Sequence, residues 1–228
     1  MRGLRANILV LSACLSLAAG ASICRAADVG ILTGVVRVVS EPPHAIRINA
    51  YPGIAHTQVP TDDPDGMSLI DEIVVYLEEV PPPHTLQPPS SPRLTQRGME
   101  FVPSVLVVVA GQEVGFPNED PYYHNVFSYS PAKRFDLGRY AKGKSKSLIF
   151  EDAGVVQVFC DIHSDMKGTI LVLQNPYFAR PDRESGGFRI PSIPAGRYRL
   201  VVWHPDLEPV SEEIEVRPSA ATKIEVEI

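Results

Sequence analysis

Residues 155–168 read VVQVFCDIHSDMKG, and no other stretch of the chain says as much about its architecture. The β-branched residues before Cys160 are typical of a strand, and a second strand-like run begins at Gly168. Between them, a thiol, an imidazole and a thioether stand at Cys160, His163 and Met166. A tight loop between two strands can direct side chains with this Cys-x2-His-x2-Met spacing toward one point. The stretch therefore predicts a metal-binding loop.

A second histidine, His124, lies upstream at the predicted start of another strand. Two imidazoles, a thiolate and a weak thioether are the ligand set of a blue-copper electron-transfer site. Soft sulfur suits Cu(I) and imidazole serves both Cu(I) and Cu(II), so this set suits one copper ion that cycles between the two states. Because the protein fills all four positions, we expect an electron carrier and not an enzyme.

Each of these residues also has an ordinary interpretation. Cys160 alone fits a buried core thiol, His163 an exposed loop residue and Met166 a gap-filling core side chain. Zinc is a further alternative, although structural zinc sites prefer several Cys or His ligands and rarely use Met. A two-copper site would call for a second cysteine near Cys160, and the sequence has none there. The joint pattern favours a single type 1 copper ion.

The N-terminus has the pattern of a secretory signal peptide. Arg2 and Arg5 precede an apolar run at residues 8–19, and small residues follow. Cleavage fits after Ala21 or after Ala26, and we favour Ala26. A lipoprotein signal that ends at Cys14 is one alternative, but it leaves too short an apolar run before the cysteine. An uncleaved anchor is another, but the run is shorter than the roughly 20 residues that a membrane span needs. We therefore expect a periplasmic or otherwise exported protein with no membrane span in the mature chain.

Cysteine usage agrees with a metal site in an exported protein. The chain has 3 cysteines, and removal of the signal peptide would leave only Cys160. Thiols in oxidising compartments are normally paired. An unpaired exported thiol therefore indicates a buried inert residue, an intermolecular disulfide or a thiolate that is held by a metal.

Composition points to strands and away from nucleic acid. Proline accounts for 22 of 228 residues, about 10%, which is roughly double the usual share of about 5%. So much proline argues against a helical bundle and favours short strands joined by turns. The formal net charge of −6, from 21 basic and 27 acidic residues, gives no reason to expect a nucleic-acid partner.

Strand-like runs recur along the chain and are bounded by turn-forming residues. Two such runs come first, at residues 30–39 and 72–77. Residues 80–92 then hold six prolines in thirteen positions and predict a semi-rigid linker. Further runs lie at 101–110, 113–116, 124–129, 145–150, 155–160, 168–173, 187–190, 196–203, 210–216 and 222–227. We therefore expect an all-β protein.

Residues 99–173 resemble a cupredoxin of the plastocyanin, pseudoazurin and amicyanin group. The matching residues are 101–103, 111–118, 124–126 and 150–166. The resemblance implies a Greek-key β-sandwich in which His124, Cys160, His163 and Met166 bind type 1 copper. It also implies that Asn125 hydrogen-bonds the ligand loop and steadies the thiolate. The short ligand spacing is most similar to that of amicyanin.

The chain departs from that family at two positions. Val156 stands where family members often carry Tyr, and Asp161 places a carboxylate beside the thiolate. A nearby negative charge favours Cu(II), so Asp161 is expected to lower the reduction potential somewhat.

The two ends of the chain resemble a different family, the carboxypeptidase regulatory-like β-sandwich. The strongest match is residues 187–204, and in that family two earlier strands precede it, which residues 34–36 and 73–77 would supply. We expect a smaller, discontinuous sandwich with the cupredoxin inserted into it, and three consecutive units are the alternative.

Proteins with this combination are similar to those often labelled methylamine utilisation proteins. The expected segments are a signal peptide at 1–26, the sandwich at 27–80 and 178–228, a Pro-rich linker at 81–98 and the cupredoxin domain at 99–177.

Two functional hypotheses follow. The first is a periplasmic electron carrier that serves a redox protein, such as a cytochrome or a dehydrogenase, with Tyr123 and Ile162 near the docking surface. The second is a copper storage, delivery or interaction module in which the sandwich binds a partner or a glycan.

Residues 132–147 carry six basic residues and one acid. This segment is expected either to steer an acidic redox partner or to be an ordinary solvated loop.

Overall fold

A computed structural model describes residues 29–39, 68–81 and 91–228. The predicted signal peptide and residues 82–90 of the predicted linker lie outside the described residues. The strands and the single helix of the described ranges are β1 (Val29–Arg37), α1 (Leu69–Glu72), β2 (Val74–Glu78), β3 (Thr95–Arg97), β4 (Glu100–Val102), β5 (Val105–Val109), β6 (Gln112–Pro117), β7 (Phe127–Ser130), β8 (Lys133–Asp136), β9 (Ser145–Phe150), β10 (Gly154–Phe159), β11 (Lys167–Leu173), β12 (Phe178–Ala179), β13 (Gly187–Pro194), β14 (Gly196–Trp203), β15 (Val210–Val216) and β16 (Ala221–Glu227). The predicted all-β fold class is confirmed.

The middle of the chain forms a β-sandwich. Its larger sheet has the strand order β5-β11-β10-β7-β8, and the smaller pairs β6-β9 and β3-β4 complete it. Alternate residues of β10, Val156 and Val158, point into the core, as a strand with one solvated face requires. They pack with Phe116 and Phe150 from β6 and β9 and with Ile170 from β11. The core of this sandwich therefore lies directly beneath the loop that follows β10.

Strands from both ends of the chain form a second, smaller sandwich. One sheet has the order β13-β1-β16 and the other the order β12-β2-β14-β15. The strand β1 is central, antiparallel to β13 and parallel to β16. Gly34 is required there, because a Cβ would lie 2.5 Å from the carbonyl oxygen of Ile224 and 2.6 Å from the ring of Phe188. N-terminal strands thus pair with C-terminal strands, while the exact domain boundaries remain a prediction.

The structure differs from the expected strands in four places. Pro103 separates β4 from β5, where one strand was expected at residues 101–110, because proline has no N–H for the ladder. The one-turn helix α1 occupies the start of the run expected at 72–77, and its Asp71 carboxylate accepts a hydrogen bond from the Ser68 N–H (3.0 Å). The expected linker at 81–98 and the expected basic loop also contain the short strands β3 and β8.

The two sandwiches contact each other through one apolar cluster. Val74 and Trp203 of the smaller sandwich pack there against Val105, Leu171 and Leu173 of the larger one. These residues are buried on the outer faces of β2, β14, β5 and β11. No helix within the described ranges has both the length and the apolar character that crossing a membrane demands.

A buried histidine, His204, lies at the end of β14. Its Nδ1 accepts a hydrogen bond from the Asp206 N–H (3.1 Å), and its Nε2 is 3.5 Å from the Glu72 carboxylate without a hydrogen-bond partner among the described residues. Burial lowers the pKa of His204, and the charges of Glu72 and Asp206 only partly oppose this. The folded protein therefore favours the neutral imidazole.

This pKa shift predicts a loss of stability in mild acid. Below its ordinary pKa of 6.5, His204 of the unfolded chain takes up a proton that the folded chain resists, so the free energy of unfolding falls as the pH drops. The fall is at most about 1.4 kcal/mol per pH unit. Urea-unfolding midpoints of the wild type and His204→Asn, measured across this range, should show the steeper decline in the wild type. The variant keeps an acceptor for the Asp206 N–H, and parallel pH profiles would contradict the prediction.

Candidate metal centre

The three nitrogen and sulfur donors come from two segments of the middle sandwich. Cys160 and His163 lie in the loop between β10 and β11. That loop is closed by two backbone hydrogen bonds, from Cys160 N–H to Met166 O (3.3 Å) and from Met166 N–H to His163 O (3.1 Å). His124 lies just before β7 and is held by paired backbone hydrogen bonds with Tyr140. Local loop geometry and a long-range strand contact thus create the site together.

The donor atoms of His124, Cys160 and His163 form a compact triangle. The two Nδ1 atoms are 3.0 Å apart, and each lies 3.9 Å from the Cys160 Sγ. The point equidistant from the three atoms lies about 2.1 Å from each of them. Metal–nitrogen bonds of about 2.0–2.1 Å and metal–sulfur bonds of about 2.3 Å are typical of such ligands. The donor set therefore fits a single transition-metal ion.

The three donors differ in their access to solvent. His124 and Cys160 are buried, whereas His163 is partly exposed. Cys160 is a free thiol. Its burial keeps it away from other thiols, which accounts for an unpaired cysteine without a disulfide. The imidazole of His163 is thus the donor that lies closest to the surface.

The other two predicted site residues are also buried near the donors. Met166 belongs to the same core cluster as Cys160, and its role as an axial ligand stays a prediction. Asn125 follows His124, and its Oδ1 has no hydrogen-bond partner within the described ranges. The predicted role of Asn125 in steadying the ligand loop likewise stays a prediction.

Asp120 is a functional neighbour of the site that the sequence analysis missed. Its carboxylate accepts hydrogen bonds from the His124 Nε2–H (2.9 Å), the Gly98 N–H (2.7 Å) and the Met99 N–H (2.8 Å). Because Nε2 is committed to this bond, the lone pair of the neutral His124 ring lies on Nδ1, which faces Cys160. The carboxylate therefore fixes both the orientation and the tautomer of His124.

The electrostatics of Asp120 agree with this role. Burial acts to raise the pKa of Asp120, but the N–H groups of Met99 and Gly98 and the hydrogen bond from His124 lower it overall. The ionised carboxylate is the better acceptor for the His124 ring. No motif in the sequence marks this contact, because Asp120 and His124 lie in a segment without helix or strand periodicity.

A buried polar network supports the segment that carries Asp120 and His124. Asn118 accepts from the Asp120 N–H (2.9 Å) and donates to the carbonyl oxygens of Tyr122 (2.8 Å) and Tyr140 (3.0 Å). The Tyr140 hydroxyl accepts from Gln96 (2.6 Å) and donates to Phe116 O (2.8 Å). Such a network holds a loop without strand pairing in one conformation. His124 is therefore held in place both by residues just before it in the chain and by the distant Tyr140.

Asp161, which follows the cysteine, is paired with Arg139. Their closest atoms, Arg139 Nη2 and Asp161 Oδ2, are 2.9 Å apart, and both side chains are exposed. The guanidinium offsets the negative charge that the sequence analysis placed beside the thiolate. The expected lowering of the reduction potential by Asp161 therefore loses most of its basis.

An aromatic ring lies against His163, and further exposed aromatic and apolar side chains are close to the donors in the chain. The rings of Tyr122 and His163 meet edge to face with centroids 6.5 Å apart. Tyr122, Tyr123 and Ile162 are 55%, 61% and 40% exposed. We call these three residues the apolar collar. Its exposed side chains lie close in the chain to the donors His124 and His163.

No protein-family model and no curated protein matches the chain. Among solved structures, it is similar to a Cu-containing nitrite reductase from Thermus scotoductus SA-01, with 26% identity and a TM-score of 0.36 over 38% of this chain and 23% of the reductase. It is also similar to an oxidized amicyanin mutant (24% identity, TM-score 0.34, 36% of this chain and 81% of the other). A purple cupredoxin from Nitrosopumilus maritimus gives 22% identity and a TM-score of 0.34 over 36% of this chain and 99% of the other.

These similarities cover a minority of the chain. The chain spans less than a quarter of the length of the nitrite reductase, at 23%. With TM-scores this low, the similarities do not assign a function to the chain.

Asp120→Asn should weaken the site without removing a donor. The NH₂ group of the amide would face another donor, either a backbone N–H of Gly98 or Met99 or the ring N–H of His124. At least one hydrogen bond is therefore lost, which costs about 1–3 kcal/mol of stability. Loss of such a supporting group typically costs about 10- to 100-fold in metal affinity. Chelator competition with Co(II) would measure the affinity. The exposed Asp136→Asn is the charge-matched control, and equal affinities in the two variants would contradict the role of Asp120.

Proposed function

We propose that this protein binds one copper ion at His124, Cys160, His163 and Met166 as a type 1 site of the cupredoxin kind and carries single electrons between redox proteins. The observation that supports this most directly is the approach of two imidazole nitrogens and one buried sulfur to within 3.9 Å of one another. A bound copper ion would supply a one-electron couple between Cu(I) and Cu(II). The chain supplies the fixed donors.

The scaffold around the donors favours a carrier over a storage protein. His124 is locked by Asp120 and by backbone pairing with Tyr140, and Cys160 by the closed loop. Donors held in place by the fold change little when the charge of the ion changes, and a small rearrangement favours electron transfer. A protein that hands over its metal would need donors that can open. We also infer that the protein is not an enzyme, because the donor set leaves no position for a substrate.

Export to the periplasm or another oxidising compartment is part of the proposal. The basic residues and the apolar run of the N-terminus support export. Cleavage of the predicted signal peptide would also remove every cysteine except Cys160, which fits an oxidising compartment. A buried thiolate that is engaged by a metal is compatible with such a compartment, since it is protected from disulfide exchange.

The visible and EPR spectra of the Cu(II)-loaded protein test the proposal. We expect an intense visible thiolate-to-copper band and its disappearance in Cys160→Ser, because serine conserves the size of the side chain and removes the sulfur. Circular dichroism of both proteins controls for folding. Stoichiometric copper binding without the band would contradict a type 1 site and would favour storage or delivery of copper.

A basic surface near the segment that carries His124 supports the proposal of an acidic partner. Lys142 and Lys144, on the segment that leads into β9, and Lys146, within β9, are exposed. This basic strip is joined to the site, since Asn118 N–H donates to Lys144 O (2.9 Å) and the Lys146 Nζ lies 5.2 Å from the centroid of the Tyr140 ring. We therefore include in the proposal an acidic redox partner that docks over the apolar collar and the basic strip.

Small redox reagents of opposite charge test the basic strip. Oxidation of the reduced protein by hexacyanoferrate(III) should slow several-fold as salt rises toward about 0.1 M, where the screening length is about 10 Å. The protein carries a net charge of −6, so its overall field predicts the opposite trend. A Lys142→Glu, Lys144→Glu double variant should reverse the salt effect, whereas the remote Lys223→Glu should not. A rate that rises with salt in the wild type would exclude steering by the strip.

A further inference from the structure

One face of the sheet that contains β2 and β14 changes from apolar to charged along its length. Three cross-strand pairs point to this face: Val74 with Trp203, Tyr76 with Val201, and Glu78 with Arg199. The residues between them on each strand, such as Val75 and Leu200, belong to the core of the smaller sandwich. The alternation of a strand thus places an apolar pair, a mixed pair and an ion pair in one row.

The apolar end of this row is covered by the middle sandwich, and the charged end is not. Val74 and Trp203 pack against Leu171 and Leu173, which closes the two sheets at that end. Toward Glu78 and Arg199 the sheets part and leave a cavity of about 430 Å³. Segments 153–155 and 171–175 form its opposite wall. This volume is within the range of small-molecule sites, about 300–1,000 Å³, which often lie where two structural units meet.

The walls of the cavity offer hydrogen-bond donors and acceptors above an apolar floor. Glu78 Oε2 and Arg199 Nη2 form an ion pair at the mouth, and the two charged groups border the cavity together. Burial and the charge of Glu78 raise the pKa of Tyr76 to about 12, so its hydroxyl stays protonated and can donate. Gln174 adds an amide, and Trp203 contributes an aromatic surface.

We propose that this cavity binds a neutral sugar of one or two pyranose units. Each sugar hydroxyl both donates and accepts, so two neighbouring hydroxyls match a carboxylate beside a guanidinium. The C–H groups of a pyranose suit the apolar edges of Trp203, Leu171 and Leu173 that border the cavity.

Charge and size limit the class of ligand further. Glu78 and Arg199 compensate each other, and Glu79 adds a negative charge at the mouth, which disfavours phosphorylated or carboxylated ligands. A wholly apolar ligand would leave the polar groups of Tyr76, Glu78 and Gln174 without partners. None of the lining residues belongs to the metal centre, so the sugar site does not depend on the proposed electron transfer.

The position of the only tryptophan makes the proposal directly measurable. The chain has one Trp, and Trp203 lines the cavity. Its fluorescence therefore reports on this cavity without labelling. The full-length protein would be titrated with glucose, galactose, N-acetylglucosamine, maltose and cellobiose, with glucose 6-phosphate as the charged counterpart. We expect a saturable change with at least one neutral sugar and weaker binding of glucose 6-phosphate than of glucose.

Two conservative variants locate the binding. Glu78→Gln keeps the shape and removes the charge-assisted hydrogen bond, and Tyr76→Phe removes only the hydroxyl; each should weaken binding by about tenfold. Glu225→Gln, which breaks the exposed ion pair with Arg37 in the same sandwich, is the matched control and should bind as the wild type does. Thermal unfolding of each variant checks its fold.

Three results would overturn the proposal. The first is the absence of a saturable change with every neutral sugar, and the second is tighter binding of glucose 6-phosphate than of glucose. The third is binding that both Glu78→Gln and Tyr76→Phe leave unchanged, which would place the sugar elsewhere. If Glu78→Gln failed to fold, Tyr76→Phe would still decide the matter, because it leaves the Glu78–Arg199 ion pair in place.

Discussion

The close approach of His124, Cys160 and His163 is the constraint on which the middle of the chain depends. Two ring nitrogens 3.0 Å apart, each 3.9 Å from a sulfur, bring lone pairs together in a largely buried place. Holding three side chains at these distances costs conformational entropy, so the surrounding fold has to impose this arrangement. The closed loop from Cys160 to Met166 imposes it from one side, and the pairing of His124 with Tyr140 imposes it from the other.

Supporting contacts extend this constraint outward. Asp120 is oriented by two backbone N–H groups of the turn between β3 and β4 and in turn orients His124. Asn118 and Tyr140 then connect that turn to the segment that leads into β9. The short strands β3 and β4 therefore serve the site, although neither contributes a donor. Hydrogen bonds among Asn118, Asp120 and Tyr140 hold this network together. Gln96 Oε1 and Asn125 Oδ1 have no hydrogen-bond partner within the described residues.

The local features of the site could be read from the sequence, and the long-range ones could not. Cys160, His163 and Met166 are close in the chain, and flanking β-branched residues define the strands around them. Asp120 was missed because an acid in a turn has no distinctive pattern, and its contacts with Gly98 and Met99 depend on how separate strands pack. The same holds for the pairing of Arg139 with Asp161, which lie 22 residues apart. The short strand β8 was assigned to a loop because basic residues hide its alternation.

The connection between β11 and β12 explains why the two sandwiches meet along one edge. Only four residues separate Leu173 from Phe178, so β12 has to begin close to the end of β11. Asn175 pins this connection, since its Nδ2 donates to Leu77 O (2.8 Å) and its Oδ1 accepts from the Tyr177 N–H (3.0 Å). The first bond holds the connection against β2, and the second fixes the turn within the connection. A connection this short draws Trp203 onto the larger sandwich, whereas the opposite, charged end of the same face is left to form the cavity.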